Sequence, residues 1–296
     1  MKYIINKEQE GKAIKDFLKS NGFSHSLLKQ LKKLPDGITV NGLHQNVIYT
    51  LKSGDILVLN VGDTKEDENE FLEPVNLPIE IIFENENITI VNKPYGMPTH
   101  ESINNRGNTL ANALAYRYRD KPYVFRATNR LDKDTSGVVI TANNKLYSAI
   151  LSDKIKSGKV QKSYIAVIEG YLTGSGVIEA PIDRLEKSII KRGVMKDGEY
   201  ALTEYTSLCA NEKYSVVLVT PKTGRPHQIR VHMAHIGHPL AGDTLYGGSD
   251  KEINRQALHC LKMGVEDIGE FYAPLAPDMK ELIRRIFGNE EFIPKN

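Results

Sequence analysis

The chain has 296 residues, 40% of them hydrophobic, which allows one large domain or two smaller ones and excludes a disordered polypeptide. A formal net charge of +2 excludes a global cationic field, so any affinity for nucleic acid has to come from local patches. Two well-separated cysteines, Cys209 and Cys260, an N-terminus that turns polar at once, and no apolar run near the roughly 18 residues of a membrane span point to a soluble cytoplasmic protein without zinc, signal peptide or membrane association.

Ala13, Ile14, Phe17 and Leu18 recur at helical spacing. A second helix is predicted to start near Ser24 or Ser26, with Leu27, Leu28, Leu31 and Leu34 on one side. Lys29, Lys32 and Lys33 share another face, by their i, i+3, i+4 spacing. On its own, such a lysine face reads as a solvated helix surface. Gly37 to Gly42 reads as a strand and turn. The acidic, apolar-poor run Gly62 to Glu70 reads as a linker. It divides a small unit, 1–60, from a large one, 76–296, with 61–75 between them.

The large unit alternates strand and helix patterns. Ile79 to Phe83 and Ile88 to Val91 flank a Glu-Asn-Glu-Asn turn and predict a hairpin. Asn92-Lys93-Pro94-Tyr95-Gly96-Met97 follows as a Pro/Gly turn. Thr109 to Tyr118 reads as a helix. Asn129-Arg130-Leu131-Asp132-Lys133-Asp134-Thr135-Ser136-Gly137 then sets an arginine two residues before an aspartate, at a turn that feeds the short buried strand Val138 to Ile140. A carboxylate on an exposed loop beside a fixed cation suits a nucleophile, because the cation favours the ionised form. Asp, Lys, Thr and Ser are also ordinary turn residues.

Asn143 to Ser157 reads as a helix closed by Gly158, and Val160 to Ile168 as a strand carrying Lys162 and Tyr164. Tyr200 to Leu208 and Tyr214 to Thr220 predict another hairpin. Pro226 to Ile236 reads as a helix with Pro near its start and Gly237 at its end. Its histidines, His227, His232 and His235, with His238 beyond, raise a metal-hydrolase reading. No Glu or Asp stands at a HExxH-type position and no cysteine lies near, which disfavours it. Neither GxGxxG nor GxxxxGK occurs, so no nucleotide cofactor is expected. Hairpins interspersed with helices predict an α+β fold: a mixed, mainly antiparallel central sheet with flanking helices, plus a small α+β N-terminal unit.

The string Asn129 to Gly137 resembles the catalytic motif of the RluA-type pseudouridine synthases, which isomerise uridine in large-subunit ribosomal RNA and some transfer RNA. The family pattern is His-Arg-Leu-Asp-x-x-Thr-Ser-Gly. Asp132 stands at the family's catalytic Asp and Arg130 at its arginine. Asn129 stands where the family has His, and it hydrogen-bonds without carrying a proton charge. Four further segments extend the resemblance: Asn92 to Gly96, Lys162 to Ala166, Gly224 to His232, and Gly237 to Gly247.

The resemblance implies that Arg230 pairs with Asp132, that Tyr164 lines the pocket and stacks on a flipped uracil, and that Ile229 packs beside it. A part for Tyr164 in removing the proton from carbon 5 is the alternative. Lys93 is expected to contact phosphate and Arg225 to hold the loop or the RNA backbone. Arg130 would fill the vacated stack or hold the flipped nucleotide. Asp132 would attack the sugar or deprotonate it toward a glycal, with no cofactor. Residues 1–60 resemble the S-four-like RNA-binding module, which would lay Lys29, Lys32 and Lys33 on phosphates. The implied partner is structured RNA, with large-subunit ribosomal RNA favoured over transfer RNA, and the implied state a monomer. A non-catalytic RNA-binding or ribosome-assembly protein is the other reading. Gln256 to His259 and Phe271 to Met279 also resemble the family and read as sheet and tail packing.

Overall fold

The computed structural model describes residues 1–23, 25–63, 72–102, 105–185 and 190–294. The N-terminal part builds β1 (Lys2–Ile4), α1 (Ile14–Ser20), α2 (His25–Leu31), β2 (Ile38–Val40), β3 (Leu43–His44) and β4 (Ile56–Leu59). The strands form a four-stranded antiparallel sheet in the order β1-β4-β2-β3. Asn41 and Gly42 both have positive φ, 51° and 82°, as the tight β2–β3 turn requires. Ile14, Phe17 and Leu18 of α1 and Leu27, Leu28 and Leu31 of α2 are buried in one cluster with Ile38, Val40, Leu57 and Leu59. Lys29 is exposed on α2. Lys32 and Lys33, expected on the same helix face, lie past its end in an exposed turn. Most of the expected linker, residues 64–71, lies outside the described residues.

The remaining chain runs β5 (Glu80–Glu84), β6 (Ile88–Lys93), α3 (Leu110–Arg117), β7 (Ser136–Ala142), α4 (Lys145–Lys156), β8 (Val160–Glu169), β9 (Ser175–Glu179), β10 (Ile182–Arg184), β11 (Arg192–Val194), β12 (Leu202–Ala210), β13 (Tyr214–Pro221), α5 (Gln228–His235), β14 (Leu258–Val265), β15 (Gly269–Tyr272) and α6 (Pro277–Phe287). Nine strands form one sheet, β5-β6-β7-β14-β8-β13-β12-β9, with β15 on β14. Only β7 and β14 are parallel; every other pair is antiparallel. The mixed, mainly antiparallel sheet with flanking helices is the α+β architecture expected from the hairpins. Strands β9, β10 and β11 carry too little alternation to be read from sequence; β10 and β11 pair as a separate ribbon.

The period of two along β8 explains why the sheet is covered on both sides. Tyr164, Ala166 and Ile168 belong to the main cluster with Ile140, Leu151 and Met233. Ile165 and Val167 point the other way, against Met279, Leu282 and Ile283 of α6. Strand β7 is buried along its whole length, so its middle, Val138 to Ile140, is a continuous apolar run rather than an alternating one. Thr109 caps α3 reciprocally with Asn112, and the Asn144 side chain accepts the Tyr147 N–H at the start of α4. Leu146 of α4 is buried in the N-terminal cluster, where Ile150 also packs. Buried Asp63 accepts both Nη atoms of Arg126, at 2.9 and 2.6 Å, which fixes the chain just past β4. Among the described residues no helix is long and apolar enough to cross a membrane.

Candidate active site

The segment 129–137 enters β7, and its backbone is held at nearly every residue. Asn129, buried, donates from Nδ2 to the Val138 carbonyl and accepts the Ile140 N–H, both at 3.0 Å. A residue that both donates and accepts is what this clamp needs; a charge is not. Thr99 Oγ1 donates to the Leu131 carbonyl at 3.0 Å and accepts the Leu131 N–H at 3.3 Å. The Thr135 N–H donates to the Asp132 carbonyl at 3.1 Å and closes the turn. Arg255 Nη1 donates to the Asp134 carbonyl at 2.9 Å, and Gln256 Nε2 to Thr135 Oγ1 at 3.3 Å. Gly137, at φ 115°, lets β7 approach β14 so closely that a Cβ would stand 2.2 Å from the Cys260 carbonyl oxygen. The segment 255–259 therefore does more than pack the sheet: it braces the loop that presents Asp132.

Lys93 is a correction. The expectation was a phosphate contact, but the side chain is fully buried and its ammonium donates to the carbonyls of Pro94 at 2.8 Å, Met97 at 2.6 Å and Lys133 at 3.1 Å. All three N–H donors are used inside the protein. Burial pushes Lys93 down to about 7, with Arg255 adding to it against the pull of Asp134 and Asp132. Its position ties the 94–97 turn to the Asp132 loop.

Asp132 faces a cleft of about 610 Å³, which is also lined by Arg130, Tyr164, His227, Ile229 and Arg230. Arg230 Nη1 donates to Asp132 Oδ2 at 3.1 Å, across 98 residues of sequence. The same guanidinium grips Asp243 through Nε at 2.7 Å and Nη2 at 2.8 Å. Burial opposes the charge on Arg230, but Asp243 and Asp132 together raise its pKa and hold it firmly as a cation. Just before Asp243, Gly242 packs the chain against the 253–255 backbone: at φ 78°, a Cβ there would stand 2.0 Å from the Arg255 carbonyl oxygen. Sequence reasoning missed Asp243, although it lies within the 237–247 segment that carries the resemblance.

Tyr164 is buried beside Cys260, and burial pushes its phenol well above the ordinary tyrosine range. The phenol is therefore protonated at neutral pH. Ile229 is buried next to it in the cleft wall. Arg130 is exposed at the cleft with no ion-pair partner among the described residues. Arg225 donates from Nε to the Tyr200 carbonyl at 2.9 Å and pairs with Glu199, so it ties its loop to the segment that enters β12. Lys162 also lines the cleft, and burial lowers its pKa.

The histidines that suggested a metal are dispersed. His232 bonds Thr203 and the Ala180 carbonyl, and His238 lies 2.9 Å from the Glu169 carbonyl. Among the described residues no group of three or more His, Cys, Asp or Glu side chains could hold a metal ion. Of these four histidines, His227 lines the cleft. It precedes α5 in the left-handed region, φ 58°, a conformation that costs a non-glycine residue about 1 kcal/mol. Its Nε2 lies 3.8 Å from Asp132 Oδ2.

The sequence pattern of the RNA pseudouridylate synthase family matches residues 87–235. The chain is 37% identical over 281 residues to an uncharacterised RNA pseudouridine synthase of Bacillus subtilis, YjbO, covering 92% of this chain and 98% of that one. It is 37% identical over 219 residues to ribosomal large subunit pseudouridine synthase D of Borreliella burgdorferi, covering 70% and 67%. Among solved structures, human RNA pseudouridylate synthase domain containing 1 superposes with a TM-score of 0.58 at 27% identity, over 69% of this chain and 87% of that one.

Proposed function

This chain belongs to the RluA-type family of RNA pseudouridine synthases, and on that premise we propose that it isomerises uridine in large-subunit ribosomal RNA, with Asp132 acting on the sugar. The observation that carries the mechanistic reading is the Asp132 carboxylate held by Arg230 in a cleft whose wall is Tyr164. The ribosomal substrate is supported by the relative described as acting on the large subunit.

The reaction breaks the bond between uracil N1 and the ribose C1′, turns the base, and joins C1′ to C5, whose proton is released. No atom is gained and no electron leaves, so the work falls to positioning and to one group that acts on the sugar. The target nucleotide must leave its stack, at a cost of a few kcal/mol that loop and bulge sites reduce. Tyr164 offers the unstacked base a ring face, worth roughly 1–3 kcal/mol. Arg130, exposed at the rim and unpaired among the described residues, replaces the base or holds its phosphate. Asp132 attacks C1′ or removes a sugar proton to give a glycal, and Arg230 orients it in either route.

Residues 1–60 form the RNA-contacting unit of this proposal and 76–296 the catalytic one. Lys29, Lys32 and Lys33 are exposed and supply sequence-independent phosphate charge. The test is tritium release from RNA carrying 5-tritiated uridine, transcribed as large-subunit ribosomal RNA. Wild type releases tritium and Asp132→Asn does not. Release by Asp132→Asn at the wild-type rate removes Asp132 from the mechanism.

A further inference from the structure

His227 is not accounted for by any role above, yet its Nε2 stands 3.8 Å from the Asp132 carboxylate. Its other nitrogen, Nδ1, lies 2.9 Å from the Tyr246 hydroxyl. That hydroxyl oxygen also accepts the backbone N–H of Arg192, at 3.0 Å. An amide can only donate, so the single phenol proton is free to point at Nδ1. The opposite assignment would make the phenol oxygen accept twice and strand its own proton in a half-buried site. Nδ1 is therefore the acceptor, and the neutral ring carries its proton on Nε2. The ring is also stacked edge-on against Tyr246, with centroids 5.8 Å apart.

Nε2–H faces Asp132 Oδ2, the oxygen that already accepts Arg230 Nη1. Among the described residues no hydrogen bond or ion pair reaches Oδ1. We propose that His227, with its tautomer set by Tyr246, is a positioning residue that joins Arg230 in occupying Oδ2 and so leaves Oδ1 as the oxygen that acts on the sugar. This rests on the reading of Asp132 as the group that acts on the target nucleotide. The 3.8 Å separation is longer than a hydrogen bond, so the contact requires a small turn of the carboxylate on substrate binding.

The tautomer matters only if the ring is neutral at working pH. The charged and titratable groups facing it are Asp132 from the motif loop, Arg230 from α5, Asp243 and Tyr246 from the segment after it, and Arg192 from β11. Lys191 lies 6.0 Å from the Tyr246 ring centre. Burial lowers the His227 pKa, with Arg230 and Arg192 adding to it against the two carboxylates. The neutral form prevails at neutral pH.

Tyr246→Phe removes the proton that fixes the tautomer, together with the acceptor of the Arg192 N–H, but keeps the ring. The expected result is a kcat lower by roughly 10- to 100-fold at neutral pH, the worth of one charge-assisted hydrogen bond. KM for the tritiated transcript stays unchanged. The deficit shrinks as pH falls below the ordinary histidine range, because a doubly protonated imidazole donates from Nε2 whichever way its partner points. A purely structural role for Tyr246 gives a loss that is equal at every pH. That result, or wild-type kcat in the variant, overturns the proposal while the wild type's own activity upholds the reading beneath it. An inactive wild type overturns both. A nitrogen spectrum of the histidine-labelled wild type, which depends on no variant, is expected to show Nε2 protonated and Nδ1 bare; the reverse pattern also overturns the proposal.

Discussion

Replacing Asp243 with Asn separates the support of the site from its chemistry. Arg230 makes two bonds to Asp243, at 2.7 and 2.8 Å, and one to Asp132, at 3.1 Å. The Arg230 and Asp243 side chains are 8% and 2% exposed. Asn preserves the shape and one acceptor oxygen but deletes the charge, leaving a buried guanidinium with Asp132 alone. Breaking a buried pair from one side costs roughly 3–5 kcal/mol, and the retained oxygen sets the expectation near the lower end, about 3 kcal/mol. At about 2–4 °C per kcal/mol for a large domain, the melting temperature falls by roughly 6–12 °C. Asp132→Asn is the counterpart. Its side chain is 30% exposed and makes one bond to Arg230, so its loss costs under about 1 kcal/mol. It nevertheless abolishes turnover. Calorimetric melts of both variants, beside tritium release, distinguish the two roles. Equal melting losses, or an Asp243→Asn protein that melts like wild type, would refute the assignment of Asp243 as the anchor of Arg230.

Lys93→Met strips donors from three carbonyls, at roughly 1–3 kcal/mol for each left unpaired, so the melting temperature drops while the salt dependence of RNA binding does not change. A shallower salt slope with normal melting would restore Lys93 to the phosphate backbone. Neutralising Lys29, Lys32 and Lys33 together to Gln is expected to do the opposite, lowering the slope of log Kd against log salt by up to about 2 with no change in melting. Burial pushes His259 down to about 4. Between that value and the ordinary 6.5, the unfolded chain binds a proton that the folded chain refuses, so stability falls as pH falls through this window, by roughly 3 kcal/mol. Urea titrations at pH 7 and near pH 4 measure it, and His259→Gln should flatten the difference; an unchanged slope in that variant would assign the acid sensitivity to other groups.

The parts legible from sequence are those whose cause is local. Thr109 before an apolar helix, the Asn41-Gly42 turn and the alternating strand at 160–168 each carry their own signal within a few residues. The Asp132 loop was readable because its residues are contiguous, and Arg230 was reached through the resemblance of a second contiguous string. Lys93 was misread because nothing beside a Pro/Gly turn announces that three carbonyls will converge on its ammonium. Asp243, Arg255 and Tyr246 were missed for the same reason: each acts on a residue far away in sequence, as Arg255 does on Asp134 across 121 positions. His227 was weighed as a metal ligand, since histidine spacing is visible in sequence whereas the left-handed turn that throws its ring away from its neighbours is not. The short strands 175–179, 182–184 and 192–194 owe their existence to pairing partners rather than to their own composition.

The most direct test of the account is to map pseudouridine in cellular ribosomal RNA by carbodiimide modification and primer extension. The comparison is between cells that carry this gene, cells that lack it, and the latter rescued with wild type or Asp132→Ala. The account requires a large-subunit site that disappears with the gene and returns only with the wild-type chain. A site restored equally by Asp132→Ala would contradict it.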